Sequence, residues 1–145
     1  MNKFKKLEPE QTLAIVKPDG VARGLIGVVI EKAESHGLSP IQIRMTTLNR
    51  ATAEEFYAEH KGKEFFKPLV DFTCSGKVVI MVLEGYDAVK WWRNIMGATN
   101  SAQARPGTIR RDHWVPGAPI RENVVHGSDS PESAKREIEF FNFLW

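Results

Sequence analysis

The first part of the chain changes from a strand pattern of apolar residues to a helix pattern. The β-branched run TLAIV is stopped by Pro18 and an Asp-Gly turn, which predicts a short buried strand with Lys17 at its exit. From Leu25 to His36 apolar residues recur at helical spacing, and Gly37 is a natural end for a helix. The chain is therefore predicted to begin with a strand followed by a helix.

The middle of the chain repeats this alternation. The segment IQIRMTTL predicts a second strand, and Thr52 with Glu55 predicts a capping box for a second helix, which EFFKPLVDF continues as a broken helical segment. The continuous apolar run KVVIMVLEG is typical of a strand buried in the centre of a sheet. A further helix is predicted from Asp87, as its cap, to Gly97.

Periodicity is lost from Ala98 to Glu122, where Gly, Pro, Thr and Arg dominate. Loops of this length inside compact domains are usually functional or disordered, and the arginines and tryptophan of this one favour a ligand-binding role. After it, NVVHG predicts a short strand, and Ser130 with Pro131 predicts the start of a last helix. Strands that alternate with helices predict an α/β sandwich in one domain over residues 1–145.

Composition narrows the class of protein. A net charge of +2 gives no basis for nucleic acid or a membrane surface as an obligatory partner. Cys74 is the only cysteine, which excludes an intramolecular disulfide and a cysteine zinc site and fits a reducing compartment. The first residues lack the apolar stretch of a signal peptide, and the run VVIMVL is too short to span a bilayer. We therefore expect a cytoplasmic protein.

The segment ENVVHGSDSPES leaves two interpretations of His126 open. It is either a core histidine satisfied by Ser128 or Asp129, or a nucleophile that carries a phosphoryl group as a covalent intermediate. The second interpretation needs fixed donors for phosphate oxygens, because a phosphoryl transition state spreads charge over them. Other segments supply candidates for such a phosphate clamp, namely Lys17, Arg93, Thr99 and Arg110. Neither a GxxxxGK[ST] loop nor a GxGxxG loop occurs in the sequence.

Four separated motifs, AIVKPDGVARGLIG, SGKVVIMVLEG, GATNSAQARPGTIR and NVVHGSD, closely resemble the nucleoside diphosphate kinase family, in this order and over nearly the whole chain. The resemblance implies a ferredoxin-like βαββαβ sandwich, an antiparallel four-stranded sheet with helices on one face. It also implies an enzyme that moves the terminal phosphate of a nucleoside triphosphate, mainly ATP, to a nucleoside diphosphate by a ping-pong route, maintaining NTP and dNTP pools.

The resemblance assigns the catalytic residues by position. His126 would be the nucleophile, and Ser128 and Glu137 would support its imidazole from behind. Lys17 would contact the phosphates and the ribose hydroxyls, and Tyr57 would lie beside the γ-phosphate and help to orient Lys17.

The resemblance also implies the nucleotide contacts and the metal. Phe65 would stack on the base and Asn123 would bind the ribose, while the phosphates would be bound by Arg93, Thr99 and Arg110. Mg²⁺ would be held mainly by the substrate phosphates and would have no direct protein ligand, with Asp129 reaching it through water. Relatives form homo-oligomers, either hexamers or tetramers, so self-association is expected.

The chain departs from the usual family pattern in three places. Glu64 replaces a proline before the two phenylalanines, and Ala98 replaces an acidic residue before the TN pair. The segment Asp112–Glu122 is a few residues longer than usual, near positions where relatives contact the base and neighbouring subunits. A second hypothesis is therefore a nucleotide-binding or interaction module that has kept the fold and lost turnover.

Overall fold

Residues 8–145 are described by a computed structural model, and four strands in this range form one antiparallel sheet. In chain order the strands are β1 (Glu10–Val16), β2 (Ser39–Thr46), β3 (Val78–Gly85) and β4 (Val125–Gly127). Their order across the sheet is β2-β3-β1-β4, and every neighbouring pair is antiparallel. The predicted four-stranded antiparallel sheet is confirmed. Residues 1–7 of the predicted domain lie outside the described range.

Helices connect the strands. Over the described residues the α-helices are α1 (Pro18–Ala22), α2 (Ile26–Ser35), α3 (Arg50–Phe56), α4 (Phe66–Thr73), α5 (Ala88–Met96), α6 (Ile109–Asp112) and α7 (Pro131–Phe140). Short 3₁₀ turns cover Ala58–His60, Ser101–Gln103 and Asn142–Leu144. In residues 8–145, none of these helices has both the length and the hydropathy that crossing a bilayer requires.

Helices pack on both faces of the sheet, so the expectation of helices on one face alone is wrong. On one face, Val16 lies in a buried cluster with Trp92 of α5 and with residues of α2. On the other face, the neighbouring Ile15 lies in a second cluster with Phe141 and with Ile138 of α7. Successive residues of a strand point to opposite faces, and β1 is apolar at both, so each face needs a cover.

Two helix caps differ from their predictions. The side chain of Asn49, not Thr52, caps α3, because Asn49 Oδ1 accepts a hydrogen bond from the Thr52 amide at 2.8 Å. Asp87 stands at the start of α5 in a left-handed conformation and makes no capping hydrogen bond with its side chain. Glu10 of β1 provides an acceptor there instead, since its Oε1 accepts from the Val89 amide at 2.9 Å. The predicted cap of α7 by Ser130 is confirmed.

Cationic side chains order the segment between α5 and β4. Periodic apolar residues are scarce in it, yet it contains α6 and a 3₁₀ turn. Arg23 donates a hydrogen bond to the carbonyl of His113, and Lys32 donates to the carbonyl of Gly107. Arg110 donates to the carbonyl of Gly97, just before the segment, and Arg111 donates to the carbonyl of Ala102. These contacts give the long loop a fixed path without a continuous apolar face, which periodicity alone did not predict.

Candidate active site

A cavity of about 570 Å³ lies where β1 ends and β4 runs beside it. It brings together residues from six separate segments of the chain. The predicted site residues that line it are Lys17, Tyr57, Phe65, Arg93, Thr99, Arg110, Asn123, His126, Asp129 and Glu137. Ser128 does not line the cavity and is fully buried behind it. The residues of the predicted phosphate clamp thus line one cavity together with His126.

His126 is held by one nitrogen of its ring. Nε2 lies 2.8 Å from Oε1 of Glu137, and the same carboxylate oxygen accepts a hydrogen bond from Ser128 Oγ at 2.9 Å. A carboxylate only accepts, so Nε2 carries the proton and Nδ1 of the neutral ring keeps a lone pair. Phe56 packs edge-on against the imidazole, with ring centroids 5.2 Å apart. The ring therefore has a fixed tautomer and a fixed plane.

Strand β4 explains why the imidazole sits at the cavity. His126 pairs with Ile15 in the antiparallel ladder, and its carbonyl accepts a hydrogen bond from the indole of Trp92 at 3.2 Å. Gly127 allows this close packing, because a Cβ there would lie 2.5 Å from Trp92 and Met96. The side chain of His126 remains 18% exposed. The interpretation of His126 as a core histidine satisfied by Ser128 or Asp129 does not fit the structure, because its ring pairs with Glu137 and lines the cavity.

Arg110 is the most constrained cation of the site. Its guanidinium donates to three backbone carbonyls, those of Gly97, Asn123 and Val125, through three different nitrogens. Guanidinium has five N–H groups, so two remain for a ligand in the cavity. Burial, together with the nearby charge of Arg93, lowers the pKa of Arg110 to about 10, which leaves it charged at neutral pH.

Arg93 pairs with an exposed partner. Its Nη1 donates to Oδ1 of Asp129 at 2.7 Å, and the two side chains are 46% and 80% exposed. Such surface pairs are worth only about 0–1 kcal/mol, so a phosphate can replace the carboxylate as the partner of Arg93. The exposed carboxylate of Asp129 stays at the edge of the same cavity.

The side chain of Lys17 is oriented by hydrogen bonds to the segment just before β4. Its Nζ donates to Oδ1 of Asn123 at 2.8 Å and to the carbonyl of Arg121 at 3.1 Å, while Asn123 Nδ2 donates to the carbonyl of Thr99. Burial, and then the charge of Arg110, lower the pKa of Lys17 to about 7, and Asp19 opposes this shift. An anion brought into the cavity would restore its charge.

Tyr57 lines the cavity but is not the residue that orients Lys17. Burial raises the pKa of its hydroxyl to about 12. Within residues 8–145, Nζ of Lys17 donates to Asn123 and Arg121, so the expected orientation of Lys17 by Tyr57 is not found. Asn123 orients Lys17 instead, because its Oδ1 accepts a hydrogen bond from Nζ.

Several lining residues were not identified from the sequence. They are Phe56, Glu59, His60, Leu69, Met96, Ile120, Arg121 and Gly127. Ile120 and Arg121 lie in the segment Asp112–Glu122, for which the signals were its extra length and its place in a loop rich in arginine and tryptophan. The departures Glu64 and Ala98 are exposed and do not line the cavity. The lengthened segment thus contributes directly to the site.

Comparison with curated proteins agrees with this geometry. A family model described as "Nucleoside diphosphate kinase" matches residues 10–143. A protein of that name from Myxococcus xanthus is 55% identical over 132 residues, covering 91% of this chain and 89% of the relative. Another of that name, from Listeria monocytogenes, is 52% identical and covers 91% of this chain and 88% of the relative.

Solved structures give the same result. A nucleoside diphosphate kinase from Halobacterium salinarum in complex with CDP is 43% identical with a TM-score of 0.87, covering 92% of this chain and 88% of that one. The enzyme from Aquifex aeolicus is 41% identical with a TM-score of 0.86, covering 92% and 95%. Because the family model spans every residue that lines the cavity, and relatives more than half identical cover nine tenths of the sequence, the chain belongs to the nucleoside diphosphate kinase family.

Proposed function

We propose that the chain transfers the terminal phosphoryl group of a nucleoside triphosphate to a nucleoside diphosphate, with a phosphohistidine at His126 as the intermediate. The observation that carries this proposal is the pairing of His126 Nε2 with Glu137 inside a cavity that is also lined by four basic residues. A ring nitrogen with a free lone pair, aimed among donors for phosphate oxygens, is what a covalent phosphotransfer requires.

The first half-reaction follows from the tautomer of His126. Nδ1 attacks the terminal phosphorus, and an N–P bond forms as the bond from that phosphorus to the β,γ-bridging oxygen breaks. The diphosphate leaves with the electron pair of that oxygen. The imidazole becomes cationic in this step, and Glu137 stabilises it through Nε2–H. A second diphosphate reverses the sequence and leaves with the phosphoryl group.

Cations around the ring supply electrostatic stabilisation. Arg110 and Arg93 would bind the oxygens of the transferring group, with Thr99 as a hydroxyl donor, and Lys17 would bind phosphate and ribose beside Asn123. Preorganised donors of this kind cost no reorganisation at the moment of transfer. Phe65 is 50% exposed at the cavity, and stacking on its ring would accept every base, so broad nucleotide specificity is expected.

A divalent metal fits this site as part of the substrate. Within residues 8–145, no three His, Cys, Asp or Glu side chains form a metal-binding group. Mg²⁺ is typically bound through substrate phosphates and one or two carboxylates, and Asp129 offers an exposed carboxylate at the cavity. When bound, the metal would neutralise charge on the substrate phosphates, and Asp129 would reach it through water.

The function is tested by an exchange assay. Purified protein is incubated with Mg·ATP and dTDP, and the nucleotides are separated over time. We expect dTTP and ADP to appear in equal amounts. Binding of Mg·ADP without any exchange would instead favour the nucleotide-binding module that has lost turnover.

A substitution of Glu137 tests whether its carboxylate stabilises the imidazole of His126. Hydrogen bonds to charged groups contribute about 1.5–3 kcal/mol, so Glu137→Gln should slow phosphorylation of His126 by roughly 10- to 150-fold. Rapid-quench measurement of the phosphoenzyme would give this rate. Glu139→Gln, an exposed acid on the same helix, is the matched control and should keep the original rate. Equal rates for Glu137→Gln and the control would show that the negative charge of Glu137 does not support the ring.

Lys17 offers a prediction on proton uptake. Its pKa of about 7 leaves most of the free protein with a neutral amine at pH 8, and phosphates in the cavity favour the charged form. Binding of ADP at pH 8 should therefore take up close to one proton, and the affinity should fall as the pH rises above 7. Calorimetry in buffers of different ionisation enthalpy measures the uptake. Lys17→Met should abolish it, and an unchanged uptake in that variant would assign the proton to another group.

Self-association is proposed on the exposed edge of the sheet. Among residues 8–145 no strand pairs with the outer edge of β2, and its side chains Ile41, Ile43 and Met45 are 45%, 52% and 47% exposed. Uncovered apolar edge strands pair readily with other chains. Light scattering on the purified protein should give four or six chain masses, and one chain mass would contradict the proposal.

The cytoplasmic location stays a prediction, which cell fractionation would test.

A further inference from the structure

A strained turn lies two residues before His126. Val124 has φ of 74°, and the amide of Val125 donates to the carbonyl of Asn123 at 2.8 Å. This combination is a γ-turn of the rare, strained type with a positive central φ. Valine is poorly suited to the left-handed region because its branched side chain crowds the backbone there. The surrounding structure must therefore hold the turn in place.

Asp19 of the short helix α1 and Lys17, just before that helix, hold the central residue of this turn from both sides. The Val124 amide donates to Oδ2 of Asp19 at 3.0 Å, and its carbonyl accepts from the amide of Lys17 at 2.8 Å. Gly20 permits the approach, since a Cβ at that position would lie 3.0 Å from the Val124 carbonyl oxygen. Asp19 is the side chain that satisfies the central amide of the turn.

The γ-turn in turn positions the cations of the cavity. The carbonyls of Asn123 and Val125, which flank Val124, both accept hydrogen bonds from the guanidinium of Arg110. The side chain of Asn123 accepts from Nζ of Lys17. A shift of the turn would therefore move Arg110, Lys17 and the strand that carries His126 at the same time.

The second oxygen of Asp19 explains why an acid is favoured here over a neutral acceptor. Oδ1 of Asp19 is buried and has no hydrogen-bond partner among residues 8–145. Its charge instead acts on the neighbouring cations, and it raises the pKa of both Lys17 and Arg110 against the effect of burial. The carboxylate thus has two effects on the site, one geometric and one electrostatic.

We propose that Asp19 is a positioning residue for phosphoryl transfer, which holds the strained Val124 turn so that Asn123, Lys17 and Arg110 keep their places around the nucleotide. The proposal rests on the proposed function of the same site. Asp19 itself would contact neither substrate nor the reacting atoms, and it would act through the turn.

Two substitutions of Asp19 separate its roles. Asp19→Ala removes the acceptor for the Val124 amide, and since a misplacement near 1 Å can cost about 100-fold, we expect His126 to be phosphorylated about 100-fold more slowly at saturating Mg·ATP. Asp19→Asn keeps an acceptor oxygen and should restore the rate to within roughly tenfold of the unmodified protein. Glu122→Gln is the matched control, because it neutralises a carboxylate that lines the same small surface pocket as Asp19, makes no side-chain hydrogen bond to the turn and does not line the cavity around His126, and it should leave the rate unchanged.

Three measurements test the proposal. They are the rate of single-turnover labelling of His126, the melting temperature of each variant, and the hydrogen exchange of the Val124 amide. In the unmodified protein the Val124 amide should exchange slowly with solvent, and rapid exchange would overturn the proposal even if Asp19→Ala fails to fold. A folded Asp19→Ala that labels at the original rate would also overturn it, as would an Asp19→Asn variant as slow as Asp19→Ala.

The failure of this proposal is distinguishable from failure of the proposed function. Absence of phosphohistidine in the unmodified protein would contradict the function itself. In that case the affinity for Mg·ADP still tests Asp19, because displacement of Lys17 should weaken binding in Asp19→Ala and not in Glu122→Gln. Equal affinities in the three proteins would overturn the positioning role.

Discussion

Replacing His126 by alanine is expected to abolish phosphoenzyme formation and to lower nucleotide exchange by at least about 10⁴-fold, since loss of a covalent nucleophile removes the two-step route entirely. The fold should survive, because the ring is partly exposed and its carbonyl, not its side chain, binds Trp92. Binding of Mg·ADP should persist through Lys17 and Arg110. Labelling with γ-labelled ATP, together with calorimetry, measures both quantities.

The control for this variant is an exposed histidine outside the cavity. His36 is hydrogen-bonded to the carbonyl of Lys32 at the end of α2, so His36→Ala should label at the original rate. Equal labelling of His126→Ala and the unmodified protein would place the phosphoryl group on another residue. It would end the assignment of His126 as the nucleophile.

The second large effect is expected for Arg110→Ala. Loss of one preorganised donor to a developing charge typically costs about 10²–10³-fold, and we expect that loss in the rate of His126 phosphorylation. Slow labelling should remain detectable, because the reactive nitrogen of His126 is still present. The melting temperature should also fall, since the carbonyls of Gly97, Asn123 and Val125 lose their donor.

Two further variants identify the cause of that effect. Arg110→Lys keeps a positive charge but cannot donate to three carbonyls through a planar fork, so it should remain well below the original rate. Arg105→Ala removes an exposed arginine of the same loop and should have no effect. If a folded Arg110→Ala variant showed no labelling at all, Arg110 could not be only a donor to the phosphate with His126 as the separate nucleophile.

The sheet was predictable from the sequence because its signal is local. The apolar run that became β3 is buried on both sides over six consecutive residues, and such a run has few other places in a fold. The strand that carries His126 was likewise predicted, as was the cap at Ser130. The cap at Asn49 was missed because Thr52 and Glu55, which begin three residues later, matched the capping-box motif. A match to so short a motif does not rule out a cap at a nearby residue.

Contacts between distant segments were beyond sequence reasoning. Lys17 and Asn123 are 106 positions apart, and Asp19 and Val124 are 105 apart, yet both pairs are hydrogen-bonded. No periodicity encodes a γ-turn at a valine, since that conformation is stable only because other segments hold it. The family resemblance supplied the site residues by position, and the structure added Asp19 and the backbone around it.

The most direct test of the account is the chemical identity of the phosphorylated nitrogen. The protein is incubated with Mg·ATP, desalted, denatured in base to preserve phosphohistidine, and examined by ³¹P NMR and by mass spectrometry of its peptides. Because Glu137 holds Nε2, we expect one phosphoryl group on Nδ1 of His126. Phosphate on Nε2, or on any other residue, would contradict it.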